Sequence, residues 1–384
     1  GNIHYSSQNS STSPSRVKMW RIKLDDNGET LIKQRFDPAG AKDIIWNHPM
    51  VLDPNNQNRM YTGAGRMVWR NNDLSEIPFE NSNDSVSQSW DSLQYTRTMP
   101  DEGAQPYDGM ITALDVSTNP ANIVYYGTID GHVYRIDEAD EGDPEPVEVT
   151  GSQFPRSFVN CIKIDPDDAS KVFVVYSAYG IQSIFYSTDM GQTWTAVSGN
   201  LEEHPSGGGS GPAINWLDIV PVKGKDMYFV GTSTGLYSTT YLNGMGTVWR
   251  QRASKEIGNM VVKMLDTRAA DSYIAVGTHG AGIYSAYLDE LPSPPEVPDL
   301  VSPDNGLEGV TDEVELNWKE QDDANIYRLE IASDSEFNDI IRLEESVRDT
   351  SYKLKNPEQG LKKFHWRVAA INSAGLSDYS EVRT

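Results

Sequence analysis

Apolar and polar residues alternate in short runs that recur along the first three quarters of the chain. Five runs share a strand–turn–strand pattern: RMYTGAGRMVW (59–69), IVYYGTIDGHVYRI (123–136), VFVVYSAYGIQSIFYS (172–187), MYFVGTSTGLYS (227–238) and YIAVGTHGAGIYSA (273–286). A period of two sends alternate side chains to opposite faces of a strand. Small residues between the two halves mark hairpin turns. Another strand leads most copies, as in MVLDP (50–54), ITALDVS (111–117), CIKIDP (161–166), WLDIVP (216–221) and VVKMLD (261–266). A tryptophan follows several of them, at Trp90, Trp194 and Trp249.

Counted between Gly63, Gly127, Tyr176, Gly231 and Gly277, the unit returns every 46 to 64 residues. Each unit predicts three or four antiparallel strands. One such sheet cannot bury both faces, so neighbours must stack. Radial stacking of four-stranded antiparallel blades gives an all-β β-propeller, whose repeats have about this length. A sandwich leaves the regular recurrence unexplained. About five repeats are visible, and the first forty residues read as the tail of another. The last copy lacks its outer strands, which leaves two alternatives: residues 1–40 complete that final blade, or upstream sequence is missing.

Residues 187–194 read S-T-D-M-G-Q-T-W and match S-x-D-x-G-x-T-W at every fixed position. This resembles the Asp-box of BNR-repeat propellers, a group that includes sialidases, xyloglucanase-type glycosidases, sortilin-like receptors and photosystem-assembly factors. The resemblance covers residues 1–288 and carries over Ser187, Asp189, Gly191, Thr193 and Trp194 as a structural Asp-box. The residue types fit a hairpin lock better than a ligand or metal loop. Asp189 suits backbone N–H donors in its own turn, and Gly191 permits a left-handed backbone. Trp194 opens the next strand with a ring to bury between blades. The segment from Tyr241 to Trp249 is a degraded copy.

Residues 289–299, DELPSPPEVPD, read as a stiff Pro-rich linker. Beyond it VELNWKE (314–320), ANIYRLEIASD (324–334), SYKLK (351–355) and KKFHWRVAAINSAGLSDYS (362–380) alternate as strands. Residues 300–384 resemble a fibronectin type III domain. Trp318 stands for its strand-B tryptophan, Tyr327 opens strand C, and Trp366–Asn372 with Gly375 and Ser377 matches strands F and G. The resemblance implies a C-terminal β-sandwich used for spacing or protein contact. A BNR-type propeller with such a module resembles secreted or surface-attached bacterial proteins, many of which end in a sorting domain. An extracellular or cell-surface location, within a larger surface assembly, is what that resemblance implies.

Composition narrows the chemistry. Nine Trp and 19 Tyr favour β structure. The net charge of −24 argues against nucleic acid, whose phosphates need clustered Lys and Arg, and against anionic lipid. The single cysteine, Cys161, sits in an alternating run as a small buried hydrophobe, so no disulfide framework or thiolate metal site is built from it. No apolar run reaches the length of a membrane span, and no membrane insertion is expected. No signal peptide opens the chain, which starts as if within a strand and suggests a processed or truncated N-terminus.

No catalytic constellation emerges. Gly231-Thr232-Ser233-Thr234-Gly235 matches G-x-S-x-G, but a strand follows it where a nucleophile elbow needs a helix. The six histidines have no metal-ligand spacing. The stretch from Asp137 to Asp143 is a candidate for calcium, although a solvated acidic loop fits it better, so no cofactor is expected. Long loops at 71–109, 137–157 and 202–213 read as decorating one face, with Phe79, Trp90, Tyr95, Tyr107 and Phe154 in or near them. Asp101, Glu102, Tyr107 and Asp108, with His279 from the last copy, are the candidate ligand face. The expectation is a non-enzymatic module that presents loops to a protein or glycan. The alternative is a glycoside hydrolase of sialidase or xyloglucanase type, which needs two carboxylates facing each other across the propeller.

Overall fold

Through residue 287 the strands follow one another as antiparallel sheets in chain order, each strand pairing with a sequence neighbour. The computed structural model describes residues 3–9, 17–41, 45, 48–99, 107–310, 313–355 and 363–384. Strand accounts for 44% of it and helix for 4%, so the protein is all-β. Sheet 1 contains Ile3–Asn9, Val17–Leu24 and Thr30–Arg35. Sheet 2 contains Met50–Asp53, Asn56–Ala64, Met67–Asn71 and Trp90–Ser92. Sheet 3 contains Ile111–Val116, Val124–Thr128, Val133–Ile136 and Val147–Glu148. Sheet 4 contains Val159–Ile164, Val172–Tyr176, Ile184–Ser187 and Thr195–Ala196. Sheet 5 contains Ile214–Val222, Lys225–Thr232, Gly235–Thr239 and Arg250–Arg252. Sheet 6 contains Val262–Arg268, Tyr273–Thr278 and Ile283–Tyr287. The strands near the N-terminus thus form a sheet of their own; among the described residues they do not complete sheet 6.

The chain divides into two units: Gly1–Ala196 with Glu202–Ile219, and Val197–Leu201 with Val220–Thr384. Within the first unit, successive sheets pack through a repeated close approach. A Cβ at Gly63 would stand 2.5 Å from Ile111 Cγ2, and Gly127 faces Val159 in the same way. These glycines lie inside strands, where the missing side chain admits the first strand of the next sheet. Each first strand also carries a bulge, between Ile111 and Ala113 and between Val159 and Cys161. The extra residue ties the sheets together. Thr112 Oγ1 donates to Val159 O at 2.6 Å, and Asn160 Nδ2 donates to Asn215 O.

The loop at 187–194 is held by its own side chains. Ser187 Oγ accepts from Gly191 N at 2.9 Å and donates to Asp189 Oδ1 at 2.7 Å. Asp189 accepts from Thr193 N at 2.8 Å and from Thr193 Oγ1 at 2.6 Å. Those Thr193 bonds hold the Asp189 carboxyl below its ordinary pKa. Gly191 has φ 83°, in the left-handed region. The locked turn aims Trp194 inward, where its Nε1 donates to Val149 O at 2.8 Å. Its ring joins Val133, Val174 and Phe185 in one buried cluster.

The second unit repeats the close approach, with a Cβ at Gly231 standing 2.6 Å from Val262 Cγ1. It also holds two further sheets. One contains Leu300–Ser302, Glu313–Trp318 and Ser351–Lys355. The other runs in the order Ile340–Val347, Ile326–Ala332, His365–Asn372 and Gly375–Leu376. They share a core around Leu316, Trp318, Tyr327, Leu329 and Trp366. This two-sheet body is fastened to sheet 5. Thr240 N donates to Ser373 O at 2.8 Å, and Val248 packs with Ile326 and Ile371. The Pro-rich segment is tied down as well: Asn372 Nδ2 donates to Ser293 O at 2.9 Å, and Lys319 N donates to Asp299 O at 2.8 Å.

Candidate functional site

In sheets 2, 3 and 4 the antiparallel order places two kinds of connection at one end: the turn between strands two and three, and the link from strand four to the next sheet. Their mutual hydrogen bonds confirm the grouping. Thr98 N donates to Arg66 O at 3.0 Å, Ile111 N to Gly65 O at 2.8 Å, and Gly109 N to Asp130 Oδ1 at 3.0 Å. Tyr176 Oη reaches Gly131 O at 2.9 Å. The supposed long loops therefore do not share one face. Short strands at Trp90–Ser92 and Val147–Glu148 cut them, so 72–89 and 137–146 leave the opposite end of their sheets, the end of the 187–194 turn, although Asp143 reaches back from there to accept from Gln94 N and Tyr95 N. The segments 93–99, 107–110, 149–158 and 202–213 stay at the first end.

That end displays large side chains on a fixed backbone. Tyr95, Tyr107 and Tyr179 are 65%, 62% and 69% exposed, and Met99, between the first two in sequence, is exposed as well. The Asp108 carbonyl accepts from Arg66 Nε at 2.7 Å, which fixes the turn that carries Tyr107. His132 adds a polar spot, its Nδ1 2.8 Å from Glu148 Oε1. Tyr179 went unnoticed in the sequence because it reads as part of a continuous apolar run, although Gly180 marks the turn.

The other aromatic candidates are structural. Phe79 lies under the Arg21 guanidinium at 4.5 Å, Trp90 stacks on Phe36, and Phe154 packs on Tyr176, Phe185 and Trp194. Asp101 and Glu102 lie outside the described residues. His279 belongs to the second unit; it is exposed in the turn of sheet 6, with its N–H bonded to Val261 O at 2.8 Å. The acidic stretch is not simply solvated. Asp137 pairs with Arg135 at 2.8 Å, and Asp143 accepts from Gln94 N at 3.0 Å, while Asp140 lies 3.8 Å from Arg59. Among the described residues no three potential ligands gather for a metal.

Charged residues on the first strands form a second feature. Asp115 accepts from Val116 N through Oδ1 and from Ile164 N of the next sheet through Oδ2, at 3.0 and 2.8 Å. Lys163 extends the chain to Asp218, with Nζ 2.8 Å from Oδ1. Burial raises the Asp115 pKa, against the pull of Lys163 and the backbone donors. Burial opposes charge on Lys163, but Asp218 and Asp115 outweigh it and raise its pKa. Cys161 lies alongside, buried, its thiol pushed up to about 12 by desolvation. Sequence reading missed this chain because its members stand about fifty residues apart on different sheets.

No family model matches the chain, and no curated protein matches it. Among solved structures, the chain is similar to the β-propeller domain of Cps50 (Swd1) from Myceliophteria thermophila, with 11% identity and a TM-score of 0.43 over 71% of this chain and 80% of that one. It is similar to the computationally designed protein Ika8, with 14% identity and a TM-score of 0.40 over 99% and 94%. A mutant of FN3tt matches 23% of this chain and 91% of its own length, with 18% identity and a TM-score of 0.18. No helix among the described residues is long and apolar enough to cross a membrane.

Proposed function

We propose that the protein is a binding module whose six sheets are blades of a BNR-type β-propeller, with a fibronectin type III module fixed to the fifth. The working surface is the turn end bearing Tyr95, Tyr107 and Tyr179. The observation that carries this is their exposure on turns that hydrogen bonds hold in place. Tyrosines of this kind offer large contact area at low entropic cost, with a hydroxyl for a protein or glycan partner. An extracellular or cell-surface setting rests on the sequence resemblance alone. Glycan arrays and capture of surface proteins test the reading. The triple variant Tyr95→Ser, Tyr107→Ser and Tyr179→Ser is expected to abolish binding without moving the unfolding midpoint.

One observation favours a glycoside hydrolase as the second reading: Asp115 has a raised pKa and shares Lys163 with a second acid, Asp218. Against it, both Asp115 oxygens already accept backbone N–H bonds. Polysaccharide hydrolysis abolished by Asp115→Asn in a stably folded variant would replace the binding reading with this one.

A further inference from the structure

Sheets 2 to 5 each end in a short fourth strand, and sheet 6 stops at three among the described residues. The register shows which edge is open. Val133 pairs with Gly127, Leu236 with Gly231 and Ile283 with Gly277, so these third-strand residues correspond. Val133 O accepts from Val149 N at the fourth strand, at 2.9 Å. Ile283 and Ser285, two residues apart, therefore turn their backbone groups to the uncovered edge of sheet 6.

The same comparison shows what is missing beside that edge. In sheet 4, Trp194 precedes the fourth strand and donates to Val149 O, the residue after the previous sheet's fourth strand. Trp249 does the same to Val197 O at 2.9 Å. By register, Arg252 of sheet 5 holds the position of Val149, since it pairs with Leu236. A groove of about 530 Å³ opens there, lined by Phe229, Leu236, Ile257, Val276, Tyr284 and Arg252. Leu236, Val276 and Tyr284 occupy the positions that Val133, Val174 and Phe185 hold around the Trp194 ring. Among the described residues no tryptophan fills this seat.

We propose that this seat and the open edge of Ile283–Tyr287 receive an extended segment of a partner protein. The segment adds as a fourth strand and inserts a tryptophan against the Arg252 carbonyl. Main-chain bonds along the edge supply affinity, and the pocket supplies selectivity. Charge adds a second preference. The Arg252 guanidinium donates through Nε to Ser238 Oγ at 2.7 Å, its Nη2 is buried without a partner, and no carboxylate within the described residues pairs with it. Glu256 and Glu290 line the same groove without pairing with the guanidinium, so a carboxylate set directly against it, next to the tryptophan, is the group that complements it. The inference uses none of the residues of the tyrosine-bearing end and stands independently of that reading.

The test is fluorescence anisotropy with the full chain and a labelled peptide copying residues 191–198, which contain the chain's own Trp194 strand. Saturable binding is expected. It should fall at least about tenfold when the peptide tryptophan is replaced by alanine, as for other buried aromatic anchors. Ser285→Pro in the protein, which obstructs the edge, should weaken binding as much while leaving the unfolding midpoint in place. That variant also separates this seat from exchange at sheet 4. A peptide with glutamate at the Thr193 position should bind more tightly, and Arg252→Gln should remove that gain. Absence of binding, or binding indifferent to both the indole and Ser285→Pro, overturns the proposal. A dimer of the chain that Ser285→Pro dissolves overturns it too, because the occupant would then be a second copy.

Discussion

Lys163 Nζ lies 2.8 Å from Asp218 Oδ1, joining the first strands of two successive sheets. The carboxylate is 3% exposed and the lysine side chain 27%. Breaking such a pair on one side strands the other charge. Lys163→Met is expected to lower stability by about 3 kcal/mol, the low end for a buried pair because solvent reaches part of the lysine. Adding Asp218→Asn should restore part of the loss, which a urea double-mutant cycle measures. The lysine's pKa is raised in the fold, so its contribution is complete at neutral pH and is lost only as pH climbs beyond the ordinary lysine value and through the folded one.

His48 gives the opposite pH dependence. It is 4% exposed, neither ring nitrogen has a hydrogen-bond partner, and burial lowers its pKa to about 4. The unfolded chain takes up this proton near 6.5 and the folded chain only near 4. The stability is therefore full above 6.5 and drains away as pH falls through the folded value, by at most about 3 kcal/mol. His48→Phe should flatten that slope in thermal melts between pH 7 and 4. An unchanged slope assigns the acid sensitivity to other groups.

The turn at 187–194 and the Trp194 ring should fail together. Ser187 is 2% exposed, and its hydroxyl serves Asp189 N and Gly191 N. Ser187→Ala leaves those donors unpaired, at a cost of about 1–3 kcal/mol. Trp194→Ala removes a ring from a packed cluster, for about 3–5 kcal/mol. Tryptophan fluorescence of Ser187→Ala should shift to the red if the loosened turn releases the ring; an unshifted spectrum means the cluster holds it unaided.

Legibility in the sequence followed the range of the forces involved. The strand repeats and the 187–194 turn could be read because alternation and Asx chemistry act within a few residues. Short fourth strands such as Val147–Glu148 and Thr195–Ala196 carry too few residues to alternate, so 71–109 and 137–157 looked like single loops. Gly127 read as a turn residue, yet it is spacing for Val159, a neighbour supplied by another sheet. Asp115, Lys163 and Asp218 gave no local signal, since each finds its partner across a sheet boundary. Of the three exposed tyrosines, Tyr95 and Tyr107 were named from the sequence and Tyr179 was not.

The segment 289–299 reads as a free spacer, and the hydrogen bonds around it predict resistance to proteases instead. Ile371 is fully buried and Val248 is 2% exposed where the two-sheet body meets sheet 5. Val248→Asp would bury an unpaired carboxylate against Ile326 and Ile371, which costs several kcal/mol unless the contact opens. Opening is the cheaper response, because the two-sheet body keeps its own core around Trp318 and Trp366. Limited proteolysis should then cut Val248→Asp within 289–299 at least about tenfold faster than the parent, since cleavage tracks the population of the open form. Equal rates would mean that Asn372 and Lys319 hold the segment without help from the Val248 contact.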